Sequence, residues 1–214
     1  MTIIATLSGF TPWTLLVNEA AAHVTECPRP LIEQALRKAC REFFSTSRCW
    51  RAKNLTLATT VASQRAYAFN PPANAELLDV HVCWYGTEEV FVGHPGDDED
   101  YYPTETSSDY AITVADGGAT VLIDPLPVAA GQVLKGDVSY TLAANATGVP
   151  TWVYDEYREE LACGAAARLV TQPKKPWTDR EAYALHRKEF EMAMSYASNK
   201  AGPIRRRPLR TVPV

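Results

Sequence analysis

Residues 31 to 44 read LIEQALRKACREFF, with apolar positions at Leu31, Ile32, Ala35, Leu36, Ala39, Cys40, Phe43 and Phe44. An α-helix turns once in about 3.6 residues, so pairs recurring every fourth position lay one broad apolar stripe along a single face. Pro28 and Pro30 stand at the entrance, where a missing amide costs little because the first turn's N–H groups lack intrahelical partners. A shorter helix is predicted ahead of it, over Trp13 to His23.

Downstream the hydrophobic period changes from helical to alternating. LTLATTV at 55 to 61, RAYAF at 65 to 69, ELLDVHVCWY at 76 to 85, TVLID at 120 to 124 and DVSYTLA at 137 to 143 alternate, carry β-branched residues and are punctuated by Pro or Gly. These features predict strands, mostly antiparallel given the short connections. The interval from Gly86 to Tyr110, rich in Asp, Pro, Gly and Ser, reads as an exposed loop.

Helical spacing returns after Pro150. Thr151 is expected to cap a helix whose stripe runs Val153, Tyr157, Leu161, Ala165 and Leu169, ending at Pro173 and Pro176. Thr178 and Glu181 have the spacing of a capping box, and a last helix is expected from Asp179 to Ala201, stopped by Gly202 and Pro203. The fold class expected is α+β: N- and C-terminal helices forming a helical bundle, an inserted antiparallel β-sandwich-like region and an extended C-terminal tail. The corresponding units are 1–51, 52–149, 150–201 and 202–214.

Composition narrows the function. The chain has 214 residues, 46% hydrophobic and 21% charged, which is ordinary globular usage and excludes collagen, coiled-coil and disordered classes. No apolar run approaches the roughly 18 residues that cross a bilayer, and no basic segment precedes an apolar one at the N-terminus, so cytoplasmic synthesis without membrane association is expected. The five cysteines, Cys27, Cys40, Cys49, Cys83 and Cys163, are odd in number and contain no CxxC pair, which predicts free thiols. Net charge is −4, but Lys200, Arg205, Arg206, Arg207 and Arg210 follow residue 199 with no acidic residue among them. An acidic body with a basic tail is a poor duplex-DNA binder through its body, since phosphate affinity comes from clustered cations.

Catalytic signals are sparse. The four histidines, His23, His81, His94 and His186, show no HxxxH or HExxH spacing, and no GxSxG, GxGxxG or GxxxxGK[ST] motif occurs. No catalytic, cofactor-binding or metal-ligating residue is assigned, and an enzyme is not expected. The DDED run at Asp97 to Asp100 offers oxygen ligands for a hard cation, yet lacks the alternation and glycine of an EF-hand and reads as a solvated acidic loop. Gly164, within CGAAA at 163 to 167, predicts a close backbone approach, because glycine in mid-helix costs up to about 1 kcal/mol against alanine. Gly164, Ala165 and Trp177 are therefore candidate helix-packing or subunit-contact residues. Trp50, Trp84, Trp152 and Trp177 are read as core anchors at element boundaries.

Two stretches together resemble a phage protein family. ECPRPLIEQALRKACREFFSTSRCWR at 26 to 51 is similar to the N-terminal signature of head-to-tail adaptor (connector) proteins of T7-like and related tailed bacteriophages, a proline-bounded helix ending in an aromatic and a Trp. YDEYREELACGAAARLVTQPKKPWTDREAYALHRKEFEMAMSYA at 154 to 197 resembles the same family's C-terminal part, including the KPW corner at Lys175 to Trp177. The resemblance implies a structural virion protein at the neck, the head-tail junction: a dodecameric ring that docks under the portal protein, extends the DNA channel and offers a platform for the tail tube or nozzle protein. Double-stranded DNA would pass without sequence-specific binding, eased by the acidic body, and no cofactor is implied. The tail GPIRRRPLRTVPV would grip the portal through Arg205, Arg206, Arg207, Leu209, Arg210 and Val212. Alternatives are another phage neck or tail-completion protein, and a small metal-dependent enzyme using the acidic loop.

Overall fold

The computed structural model describes residues 9–93, 110–115 and 118–203. A short antiparallel ribbon, β1 (Phe10–Pro12) paired with β9 (Gly148–Pro150), sets Thr11 opposite Val149. Each strand ends in a proline that stands immediately before a helix: Pro12 before α1 (Trp13–Ala21) and Pro150 before α3 (Thr151–Val170). At Gly148 the two strands come so close that a Cβ would lie 2.0 Å from the Thr11 carbonyl oxygen, which leaves room for glycine alone. Trp13 closes the junction by donating its indole N–H to the Ala146 carbonyl at 2.8 Å.

The stripe at residues 31 to 44 lies within α2 (Arg29–Ser47), where Ile32, Ala35, Leu36, Ala39, Cys40, Phe43 and Phe44 are buried. Phe43 meets Tyr157 of α3 at 5.1 Å between ring centroids, and Phe190 of α4 (Arg180–Ala201) at 6.3 Å. Phe44 faces the other way, onto Trp50 at 5.2 Å, and Trp50 continues to Tyr140 at 5.7 Å. This run of rings joins the helices to the sheet in one contiguous core.

That sheet has seven strands in the order β2 (Arg51–Thr59), β8 (Val133–Leu142), β4 (Ala75–Tyr85), β5 (Glu88–Gly93), β6 (Ala111–Ala115), β7 (Thr120–Asp124) and β3 (Ala66–Ala68). It is mixed: β5 and β6 run parallel, with Phe91 opposite Ala111, and the other neighbours are antiparallel. Along β8 burial alternates at Leu134, Gly136 and Val138, then becomes continuous to Leu142, where α2 packs on the strand. The sheet curls into a half-barrel.

The expectation of a helical bundle carrying an inserted antiparallel β-sandwich is therefore wrong. A sandwich needs two sheets facing each other across their own core, and here one large mixed sheet shares its core with four helices. The misreading arose in the interval from Gly86 to Tyr110. Its first part is β5, whose short apolar run at Val90 to Val92 follows two glutamates and precedes a glycine; residues 94–109 lie outside the described residues.

Two predicted caps are also replaced. Thr151 does not cap α3; its hydroxyl donates to the Gly9 carbonyl at 2.5 Å, fastening the ribbon instead. Thr178 does not form a box with Glu181, because its hydroxyl donates to the Gln172 carbonyl at 2.5 Å and accepts from the Lys175 amide at 3.1 Å. Asp179 caps α4, its Oδ1 accepting from the Glu181 and Ala182 amides at 3.0 Å each.

Candidate functional site

Gly164 and Ala165 face inward on α3, and the close approach expected at Gly164 is to a side chain of the same chain. A Cβ on Gly164 would sit 2.6 Å from Phe190 Cδ2, so the missing side chain is the seat of the Phe190 ring. Trp177 is buried in the turn between α3 and α4, with Lys175 Nζ 5.8 Å from its ring centroid. Trp50 is likewise buried, while Trp84 and Trp152 are half-buried. The expected portal-contacting residues Arg205, Arg206, Arg207, Leu209, Arg210 and Val212 lie outside the described residues, as do His94 and Asp97 to Asp100. What the structure does give is their point of departure. Arg51 at the start of β2 donates from Nη1 to the Ala201 and Gly202 carbonyls, each at 3.1 Å, and so holds the C-terminal end of α4.

Glu42 of α2 is the node of the helical layer. Arg187 of α4 donates to its Oε1 at 2.8 Å and Arg168 of α3 to its Oε2, so one carboxylate joins three helices. Arg187 Nε also reaches Glu191 at 2.7 Å. Burial alone would raise the Glu42 pKa; the hydrogen bonds from Arg187 and Arg168 outweigh it and hold the group below its ordinary value. A cleft of about 450 Å³ opens beside this node, lined in part by Lys38, Glu42, Arg168, Tyr183 and Arg187. Against β4, β5 and β6 lies a second cleft, of about 740 Å³. The charges at its edge are neutralised within the chain, Arg41 on Glu76 at 3.0 Å and Arg48 on Asp79 at 2.6 Å.

One further cluster had no sequence motif. His23 follows α1, Cys163 lies in α3 and His186 in α4, and one ligand-type atom from each falls within 4.8 Å of the others. The two imidazoles meet edge to face, with centroids 5.0 Å apart. His23 is exposed, whereas Cys163 and His186 are buried. His186 Nδ1 is enclosed without a hydrogen-bond partner, at a cost of about 1–3 kcal/mol. Burial lowers the His186 pKa, with His23 adding to the effect and Glu189 and Asp179 opposing it. The Cys163 thiol donates to Glu189 Oε2 at 3.0 Å, and burial, assisted by that hydrogen bond, pushes its pKa up to about 12.

Large apolar side chains remain exposed on one side of α4, with Lys188 and Glu189 between them. Leu185, Met192 and Tyr196 are spaced seven and four residues apart, which places them on one side of the helix, and each is more than half exposed, at 58%, 59% and 59%. Among the described residues no helix is long and apolar enough to cross a membrane. No protein-family model matches the chain, and no match is found among curated proteins.

Proposed function

We propose that the protein is a structural subunit of a tailed-phage neck, a head-to-tail adaptor that assembles as a ring beneath the portal. The observation that carries this reading is the outer face of α4. Three large apolar side chains in register on a rigid helix are costly to leave in water, at roughly 25 cal/mol per Å² of apolar surface, and a second copy of the chain is a suitable cover. The face ends at Tyr196, fewer than two turns before Gly202, after which the basic tail follows, so a subunit contact and a portal grip would stand close together. Resemblance of residues 26–51 and 154–197 to adaptor proteins supports the same reading. Arg205, Arg206, Arg207 and Arg210 would pair with acidic groups of the portal, while Leu209 and Val212 fill its grooves.

The experiment is co-assembly. Wild-type chain alone is expected to be monomeric by light scattering, and to form a ring and co-sediment when portal rings are added. Leu185→Asp with Met192→Asp should abolish ring formation while leaving the far-UV circular dichroism unchanged. Arg206→Glu with Arg207→Glu should weaken attachment more than the alanine pair does, because repulsion is added to the lost contacts. Normal co-sedimentation of all these variants would overturn the reading. Negative-stain images of virions carrying tagged protein distinguish an adaptor from a tail-completion protein by its place along the neck.

A further inference from the structure

The end of α1, the middle of α3 and the first half of α4 converge on a set of ligands that local sequence spacing could not reveal. The donors are two imidazole nitrogens and one sulfur, within 4.8 Å of one another. In a tetrahedral zinc site with bonds of about 2.0–2.3 Å, neighbouring ligand atoms stand roughly 3.3–3.8 Å apart, so small side-chain rotations close the set around an ion. A second observation points to a ligand: His186 is only 8% exposed, yet its Nδ1 has no hydrogen-bond partner. A buried polar atom without a partner calls for an explanation, and a bound ion beside it supplies one. His23 is exposed and gives the route from solvent.

We propose that His23, Cys163 and His186 bind one divalent transition-metal ion, zinc by preference, with water as fourth ligand. Two imidazoles and a thiolate are borderline-soft donors; they suit zinc and disfavour magnesium and calcium, which take oxygen ligands. On binding, the Cys163 thiol gives up its proton to the Glu189 carboxylate that already accepts its hydrogen bond, and Glu189 releases it to solvent. The sulfur then bonds to the metal as thiolate, and no oxidation occurs. The ion cross-links residue 23 to residues 163 and 186, tying the segment that follows α1 to the α3 and α4 pair. The site is independent of the adaptor reading.

The full chain, purified without a polyhistidine tag from zinc-supplemented cells, should retain about one zinc per chain by elemental analysis. After chelation, Co²⁺ is the optical probe. The wild type should show a sulfur-to-cobalt charge-transfer band in the near ultraviolet together with visible bands typical of four-coordination. Cys163→Ser should lose the charge-transfer band. His23→Ala, at an exposed position that leaves the fold intact by circular dichroism, should weaken Co²⁺ binding by at least ~10-fold. Added zinc should raise the melting temperature of wild type and not of His23→Ala. No band in the wild type, a band that survives in Cys163→Ser, or undiminished affinity in His23→Ala would each overturn the proposal. Should Cys163→Ser fail to fold, the His23→Ala comparison decides alone.

Discussion

Glu42 is a case in which one side chain's chemistry can be read in two conditions. Its pKa is lowered in the folded state, so folding favours the ionised form. The resulting stabilisation is present above the ordinary carboxylate range and disappears as pH falls through the folded-state value. Glu42→Gln is expected to cost about 1–2 kcal/mol at pH 7, since charge-assisted hydrogen bonds are worth more than neutral ones but Arg168 and Arg187 are partly solvated. The difference from wild type should shrink as pH falls from the ordinary carboxylate range through the lowered folded-state value, below which both side chains are neutral; urea melts at several pH values measure it, and a pH-independent gap would disprove the ionic account. Gly164→Ala makes a different test. Alanine gains up to about 1 kcal/mol in helix propensity, yet its Cβ would strike the fully buried Phe190 ring, and overpacking of this kind costs about 1–3 kcal/mol. A net destabilisation is expected, partly recovered when Phe190→Leu is added; a stabilised Gly164→Ala would mean that the ring has room to move.

At the scale of elements, the caps separate two readings of one short segment. Asp179→Ala should cost about 1 kcal/mol because two amides of α4 lose their acceptor, whereas Glu181→Ala, which removes the acceptor a capping box would need, should cost distinctly less, its side chain having no part in the cap. Thermal melts of both decide; equal losses would restore the Thr178 and Glu181 box. The helices were legible because their apolar residues recur over three turns or more, as at Leu31 to Phe44 and Val153 to Leu169. Strands β1 and β9 span three residues each, too few for any period to show, and they exist because a partner strand completes their hydrogen bonds. The parallel pair of β5 and β6 is a relation between segments on either side of residues 94–110, to which alternation within one strand is blind. The same physics hid the His23, Cys163 and His186 cluster: metal motifs are legible when ligands share a loop or a helix face, and here each ligand comes from a different part of the helical layer. Gly164, by contrast, was legible in kind, because a costly residue in mid-helix must have a packing reason.

For the whole molecule, a core shared between helices and sheet predicts a single cooperative transition. Unfolding followed by tryptophan fluorescence, which reports on Trp13, Trp50 and Trp177 in the core, should coincide with that followed by far-UV circular dichroism. Joining residue 51 to residue 150 by a short linker should yield a chain that does not fold, because Phe44 and Trp50 lose Tyr140 and the buried face of β8. A stable helical fragment would show that the helices carry their own core. The ribbon that opens the fold has a consequence for how each molecule comes into being. Thr11 cannot meet Val149 until the ribosome has made the residues between them, which takes roughly 7–30 s at about 5–20 residues per second. Throughout that wait Leu16 and Val17, fully enclosed in the finished protein, have no α3 to lie against. Helix α1 thus waits for α3 with only α2 to pack on in the meantime, and during that wait its uncovered apolar side is a natural station for the chaperones that attend nascent chains.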